Sequence, residues 1–310
     1  MLAAGPPARL TRSGRGPRAV LQRWSVVMNV LLAALIVLVC AALAIAALLL
    51  VRRGAPDGSY FNDGDRAAGV FGVLATGFAV LLGLVVVLAF TSYDESRAGA
   101  EAEALTLAQQ FEVAHLLPDE AAGRLAGELV CYGRSVIHQE WPRMEDGTQG
   151  DAMNPWGVAT FRTMRTVEPR SPAEQAAYAK WLDQRLDRES ARNDRIHGAA
   201  GVIPAPLWLV LFVIAAVILG FMMFFADSGE RALVQAALIG TVVVVMASTL
   251  LVISFLDDPY GDGLGSLRPV AMERTLRILD HERRLVGDTA PLPCDEQGRA
   301  LATGAVTPSG

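Results

Sequence analysis

The sequence predicts an all-α membrane protein, with four transmembrane helices in two hairpins and a cytoplasmic helical domain between the second and third helices. Four apolar runs support this prediction: residues 26–51, 67–90, 203–225 and 232–255. Each reaches the ~20 residues that a helix needs to cross a ~30 Å hydrocarbon core. None contains a Lys, Arg, Asp, Glu or His. Because a chain in lipid must satisfy its own backbone polar groups, helix is the expected state of all four.

The composition agrees with a membrane part joined to a water-facing part. Apolar residues make up 52% of the chain and the mean hydropathy is +0.35, although 19% of the residues are charged. A net charge of −5 offers no basic surface for nucleic acid, so the predicted partner is the lipid bilayer. Lys180 is the single lysine, while arginine, alanine and glycine are abundant. This usage is typical of GC-rich bacterial genomes and indicates a bacterial plasma membrane.

The arginine distribution predicts that both ends of the chain are cytoplasmic. Residues 1–25 carry five arginines and no acidic residue. Basic flanks stay on the cytoplasmic side, so two crossings return residues 91–202 to the cytoplasm. Arg52 and Arg53 oppose this orientation, because they lie on the outer flank of the first run. That run exceeds the ~7–15 apolar residues of a signal peptide, so we expect it to be retained.

These patterns divide the chain into six segments. They are a basic cytoplasmic tail (1–25), a first transmembrane hairpin (26–90), a cytoplasmic helical domain (91–202), a second transmembrane hairpin (203–256), a turn segment with an amphipathic helix (257–286) and a disordered tail (287–310). The last segment is predicted to be disordered because it is polar and rich in Pro, Gly and Thr.

Helical periodicity continues through the predicted cytoplasmic domain. Apolar spacing predicts helices over residues 92–117, 118–140 and 156–167. We expect Trp141 and Pro142 to stop the second of these helices, since proline disrupts a helix interior.

A fourth helix has the clearest start signal in the chain. Ser171 as N-cap, Pro172 at the first helical position and Glu174 at the third form a capping-box pattern. The charge-rich residues 183–195 follow on this helix. We interpret them as a solvated face, with a subunit contact as the alternative.

The cysteines and histidines predict neither a metal site nor a cofactor. Cys40, Cys131 and Cys294 show no metal-ligand spacing, and thiols in the cytoplasm are expected to remain reduced. The four histidines are scattered. We find no nucleophile elbow, phosphate loop or zinc motif, so the sequence does not predict an enzyme.

The predicted membrane helices are compatible with a channel. Ion-coupled pumps usually need ionisable groups within the membrane, and these runs have none. A channel is less constrained, because apolar constrictions can gate it. Phe71 and Phe78 lie seven residues apart and are candidates for a pore or gate; packing against neighbouring helices or lipid is the alternative.

Small residues recur along the second span and predict a close helix contact. They are Gly72, Thr76, Ala79 and Gly83. Such spacing lets helix backbones approach each other in lipid, so we expect this span to line or brace the axis of an oligomer.

Short motifs between residues 67 and 269 follow a recognisable order. They are FAVLLGL at 78–84, YD at 93–94, EA at 103–104, LLP at 116–118, Tyr132, EWPRM at 140–144, Arg195, PLW at 206–208 and LDDPYG at 256–261. In this order they resemble the bacterial bestrophin-like family, which has no established activity.

This resemblance implies kinship with bestrophins, which are pentameric anion channels with four spans and a helical cytoplasmic part. The segment 258–262 is similar to the Pro-Phe-Gly-acidic segment after the last bestrophin span, which helps form a calcium site in animal members. Residues 263–265, GLG, replace the acidic run, so calcium binding is not implied here. Phe71 and Phe78 are similar in type to the apolar neck residues of bestrophins.

Two further groups of residues are candidates for functional roles. Asp257, Asp258, Pro259, Tyr260 and Gly261 form a membrane-exit motif, where the carboxylates could make an acidic ring or a joint to the cytoplasmic domain; Asp258 could also simply form a turn. Glu103, Glu140, Trp141 and Pro142 form a cytoplasmic motif, interpreted as a salt-bridge partner followed by a helix stop or subunit contact.

The predicted function is an oligomeric bestrophin-like ion channel. The alternative is a non-conducting sensor or scaffold whose cytoplasmic helices bind partners.

Overall fold

A computed structural model describes residues 17–57, 60–61, 63–147, 153–261, 265–285, 287–288 and 290–301, with side chains described from residue 30 onward. Its helices are α1 (Pro17–Arg52), α2 (Gly64–Ala114), α3 (Asp119–Ser135), α4 (Trp141–Glu145), α5 (Pro155–Met164), α6 (Pro172–His197), α7 (Ala205–Met223), α8 (Ala232–Asp257) and α9 (Val270–Leu285). A π-helical turn, Val136–Glu140, joins α3 to α4, and a 3₁₀ turn, Gly198–Ala200, follows α6. The prediction of an all-α fold is confirmed.

Four of these helices, α1, α2, α7 and α8, are long and apolar enough to cross a membrane. The first pair and the second pair pack as a bundle. Phe78 and Val85 of α2 contact Leu211 of α7 and Ile253 of α8 in one apolar cluster. Many large apolar side chains on the outside of the four helices remain exposed. This surface is suited to contact with lipid or with another copy of the chain.

Arg52 connects the two hairpins at one end of this bundle. Its Nε donates to the carbonyl of Asp227 over 2.9 Å, and Nη2 donates to the carbonyl of Ser228 over 3.1 Å. This role in binding the opposite loop accounts for an arginine on the flank where the orientation rule does not expect one.

Helix α2 connects the membrane bundle to the helical domain that lies between the second and third membrane helices. Its 51 residues extend roughly 75 Å at the α-helical rise. Helix α6 packs along the C-terminal half of α2, and Gly99 marks the closest approach: a Cβ there would lie 2.5 Å from the backbone nitrogen of Arg195. The two helices can therefore pack this closely only because residue 99 has no side chain.

The predicted start of α6 is confirmed. Ser171 Oγ accepts from the Glu174 backbone N–H over 3.2 Å, and Glu174 Oε2 accepts from the Ser171 N–H over 3.3 Å. This reciprocal capping box satisfies two backbone donors that the first turn of a helix leaves without partners.

The prediction that Trp141 and Pro142 stop a helix is wrong. The chain continues from α3 through the π-helical turn into α4, which ends at Glu145. The Trp141 N–H bonds to the carbonyl of Val136, five residues back. Proline has no N–H and clashes with the carbonyl four residues earlier in a regular helix, whereas the wider turn accommodates it.

The prediction of a disordered C-terminal tail is wrong for the part that the structure describes. Residues 287–301, here called the C-terminal strap, lie against α3 and α5. Trp156 Nε1 donates to the Gly298 carbonyl over 2.7 Å, and Cys131 forms a disulfide with Cys294. The expectation of separate, reduced thiols is therefore wrong for these two cysteines. Residues 302–310 lie outside the described part of the chain.

Candidate functional site

Five side chains from four different parts of the chain form one buried group, here called the ion network. They are Glu103 of α2, Tyr132 of α3, Glu140 of the π-helical turn, and Arg192 and Arg195 of α6. All are buried. Four of the five, all except Arg192, belong to the short motifs described above, which lie far apart in the sequence.

Arg195 is the centre of the ion network. Its Nε and Nη2 bind the two oxygens of Glu103, with Nη2 3.1 Å from Oε1. The same Nη2 lies 2.6 Å from Glu140 Oε2, which also accepts from Arg192 Nε over 3.3 Å. Tyr132 donates its hydroxyl proton to Glu103 Oε1 over 2.6 Å. The two carboxylates and two guanidinium groups balance in charge, which is the condition for burying them together.

Burial and neighbouring charges shift the pKa values of Glu140, Tyr132 and Arg195 in the network. Burial raises the pKa of Glu140, but the charges of Arg195 and Arg192 outweigh it and hold the pKa of this carboxyl below its ordinary value. Burial and the charge of Glu103 raise the pKa of Tyr132 well above its ordinary value. The two neighbouring carboxylates likewise raise the pKa of Arg195 despite its burial. These shifts favour the ionised forms of Glu140 and Arg195 and the neutral form of Tyr132 at neutral pH.

The segment that follows α8 is bound to this network. Tyr260 donates its hydroxyl to the Arg195 carbonyl, and burial raises its pKa to about 12. Its ring meets Trp141 edge-on with 5.5 Å between centroids, and the Arg195 guanidinium lies 5.7 Å from the Trp141 centroid. Trp141 Nε1 donates to the Leu267 carbonyl over 3.3 Å. The segment after α8 therefore meets α4 and α6 at one point.

The interpretation of residues 183–195 as a solvated face is wrong for the side of α6 that faces α2. Arg188, Arg192 and Arg195 are all buried there. The Arg188 guanidinium stacks 4.4 Å from the Tyr132 centroid, and its Nη1 donates to Gln110 Oε1 over 2.7 Å. The spacing of these arginines at intervals of three and four residues was the available signal, since it places them on one helix face.

The membrane-exit carboxylates have separate roles within the protomer. Asp257 accepts from the backbone N–H groups of Val202 and Ile203 over 2.8 and 2.9 Å, and from Trp208 Nε1 over 3.2 Å. It therefore binds the end of α8 to the start of α7. Asp258 is exposed and accepts from the Gly261 N–H over 3.1 Å, which fits the turn-forming alternative. These contacts support a joint more than a ring of two free carboxylates per chain.

Phe71 and Phe78 pack inside the protomer. Phe78 is only 5% exposed and lies in the apolar cluster between α2, α7 and α8. The Phe71 ring stacks on Phe221 with 5.9 Å between centroids. This placement favours the packing alternative over a pore-lining role for both phenylalanines.

The small residues of α2 instead face away from the protomer. They are Gly72, Thr76, Ala79 and Gly83, and all four are exposed. A Cβ added at Gly72 or Gly83 would meet no atom within 4 Å. Among the residues that the structure describes, the close contact that their spacing predicts is therefore not made at these glycines.

Within the part of the chain that the structure describes, no three His, Cys, Asp or Glu side chains group in a way that could hold a metal ion.

Comparison with known proteins gives a match that spans most of the sequence. A family profile described as the bestrophin-like domain matches residues 37–271. No curated protein matches the chain. A crystal structure of a bacterial bestrophin homologue from Klebsiella pneumoniae aligns with a TM-score of 0.61 at 15% identity, covering 84% of this chain and 100% of that one. A single-site variant of that homologue aligns with a TM-score of 0.60 at 15% identity, covering 83% and 98%. At such identity the likeness establishes the fold.

Proposed function

Because the chain belongs to the bestrophin-like family, we propose that it forms an oligomeric ion channel in the bacterial plasma membrane. The observation that carries the proposal is the outward face of α2, where exposed small residues leave the helix backbone bare. Within the part of the protomer that the structure describes, nothing covers this face. Several copies arranged about an axis would bring the α2 faces together around a narrow path.

Charge along α2 is compatible with conduction. The membrane-spanning part of α2, residues 67–90, has no ionisable group that would trap an ion. Gly72, Gly83 and Asp94 follow at intervals of eleven residues, which places them on one side of a helix, and all three are exposed. In a symmetric assembly Asp94 would repeat at the cytoplasmic mouth. A ring of carboxylates at such a mouth helps to select, by charge, the ions that enter it.

In this function the ion network would serve as a joint between the membrane helices and the cytoplasmic helices. It binds the exit of α8 to α2 and α6, so displacement of the cytoplasmic helices would reach the membrane helices directly. The proposal is one of transport and not of catalysis, since the carboxylates of the network are already neutralised by arginine.

A non-conducting scaffold is the second candidate. Leu105 of α2 and Leu186 of α6 are 60% and 64% exposed on the cytoplasmic domain. Such side chains suit a contact with another protein, either a second copy or a different partner. Ion flux separates the two functions, because a scaffold is electrically silent.

We expect Gly83→Leu to prevent assembly and flux. A leucine on the outward face would hold neighbouring α2 helices apart, since close approach in lipid depends on small residues. Gly220→Leu is the matched control, because Gly220 is also an exposed glycine of a membrane helix with no atom within 4 Å of an added Cβ. Oligomer yield in a mild detergent and salt flux from liposomes are measured for both. Equal values for the two variants would remove α2 as the assembly face.

The orientation is a second part of the proposal, with the N- and C-termini in the cytoplasm. Exposed Ser228, in the turn between α7 and α8, should face outward, and exposed Asp146, after α4, should face inward. Single-cysteine variants at these two positions, with all native cysteines replaced by serine, are treated in intact cells with a membrane-impermeant thiol reagent. We expect labelling of Ser228→Cys alone. Labelling of Asp146→Cys in intact cells would reverse the orientation.

A further inference from the structure

The disulfide between Cys131 and Cys294 joins parts of the chain that are 163 residues apart, with 5.8 Å between their Cα atoms. Cys131 lies in the middle of α3, and Cys294 lies in the C-terminal strap. Both are buried, at 0% and 4% exposure. The third cysteine, Cys40, is exposed and lies in a membrane helix.

Contacts besides the disulfide also position the strap. Arg134 Nη1 donates to the Asp295 carbonyl over 3.1 Å, and Gln139 Nε2 donates to the Gln297 carbonyl over 3.0 Å. Gly298, at φ +74°, lies against the backbone of Ser135, where only a residue without a side chain fits. Leu292 also packs against the apolar cluster that contains Cys131, so the strap has apolar as well as polar contacts. The disulfide is the covalent bond among these contacts, so its reduction would weaken the attachment of the strap to α3.

The proposed orientation places this bond in the cytoplasm, where thiols are kept reduced and disulfides are usually transient, catalytic or redox-sensing. We propose that Cys131 and Cys294 are a reversible thiol–disulfide couple that exchanges with a small-molecule disulfide of the glutathione class. Oxidation fixes the strap on α3, and reduction releases it. The inference rests on the proposed orientation and not on conduction.

The exchange balances in two steps. With the strap lifted, the Cys294 thiolate attacks one sulfur of glutathione disulfide, forming a mixed disulfide and releasing one glutathione thiolate. When the strap docks, the Cys131 thiolate attacks the Cys294 sulfur and releases the second glutathione. The protein loses two electrons and two protons, and glutathione disulfide gains them as two thiols. A small-molecule dithiol reverses both steps.

The couple is placed to act on the ion network. Cys131 directly precedes Tyr132, whose hydroxyl binds Glu103. The strap also binds Trp156 of α5 through Gly298. Clamping the strap therefore holds the helix that carries Tyr132 to its neighbours, and release loosens one side of the network.

Thiol trapping in cells tests the couple on the full chain. A Cys40→Ser variant leaves only the two cysteines of interest. Cells with and without a thiol oxidant such as diamide are quenched in acid, denatured and treated with a maleimide that adds a visible mass per free thiol. We expect two additions in untreated cells, none after oxidation, and two again after dithiothreitol. Two additions under every condition would overturn the couple, and no additions in untreated cells would show a permanent structural bond instead.

Proteolysis tests the effect on the strap. Arg299 is exposed in the strap, and trypsin cleavage there requires local opening. We expect cleavage after Arg299 in detergent-purified protein to be about tenfold slower when oxidised than when reduced, because the clamp suppresses opening. The Cys294→Ser chain should be cut at the fast rate in both conditions. Equal rates for the oxidised and reduced parent would overturn the release of the strap, whether or not the protein conducts ions.

Discussion

Replacing Arg195 with methionine should destabilise the helical domain between the second and third membrane helices by about 3–5 kcal/mol, the range measured when one partner of a buried ion pair is removed. Arg195 is fully buried and binds both Glu103 and Glu140. Methionine keeps much of the volume but leaves Glu103 without a cation. The change is measured as the shift in denaturant or thermal unfolding of the purified chain in detergent.

Arg97→Met is the matched control. Arg97 also pairs with a glutamate, Glu101, but the two side chains are 60% and 62% exposed. Exposed pairs contribute about 0–1 kcal/mol, so this variant should unfold almost as the parent does. Adding Glu103→Gln to Arg195→Met should recover part of the loss, because the unpaired buried charge is removed. Equal destabilisation by Arg195→Met and Arg97→Met would contradict the network.

Gly99→Ala should separate α2 from α6. The added Cβ would lie 2.7 Å from the Ala191 carbonyl oxygen and 2.8 Å from Asp194 Cβ. The nearest obstacles include backbone atoms, so the helices themselves must move. Overpacking of this kind costs about 1–3 kcal/mol, and we expect the upper end of that range.

Gly123→Ala is the control for that variant. Gly123 lies within α3, and a Cβ there meets no atom within 4 Å. Because alanine favours helix over glycine by up to about 1 kcal/mol, this chain should be as stable as the parent or more so. A comparable loss in both variants, measured by thermal unfolding, would mean that Gly99 is not a point of close helix contact.

The membrane helices and the start of α6 could be predicted because their signals are local. An apolar run defines a span by its length, and a capping box lies within four residues of chain. The charged face of α6 could not be predicted in the same way. Charged side chains are usually solvated, and the partner that allows Arg195 to be buried, Glu103, is 92 residues away. The sequence indicated a salt-bridge role for Glu103, but no local signal identified Arg195 as its cation.

The strap and the two phenylalanines also depend on contacts between residues that are distant in the sequence, which local patterns do not predict. The composition of residues 287–310 predicts disorder, but a disulfide and hydrogen bonds to distant helices hold the strap within this segment. The spacing of Phe71 and Phe78 shows only that they share a helix face. Which face of α2 packs on α7 depends on the tertiary contacts, and the structure gives that face to the phenylalanines and the outward face to the glycines.

Ion flux through the purified full-length chain in liposomes is the most direct test of the proposed channel. Vesicles are loaded with one salt, diluted into another, and read with a potential-sensitive dye, using salts in which either the cation or the anion is too large to permeate. The proposed function requires a flux well above that of protein-free vesicles, with a preference for one sign of charge. Vesicles that contain the assembled protein and remain as tight as protein-free ones in every salt would contradict it.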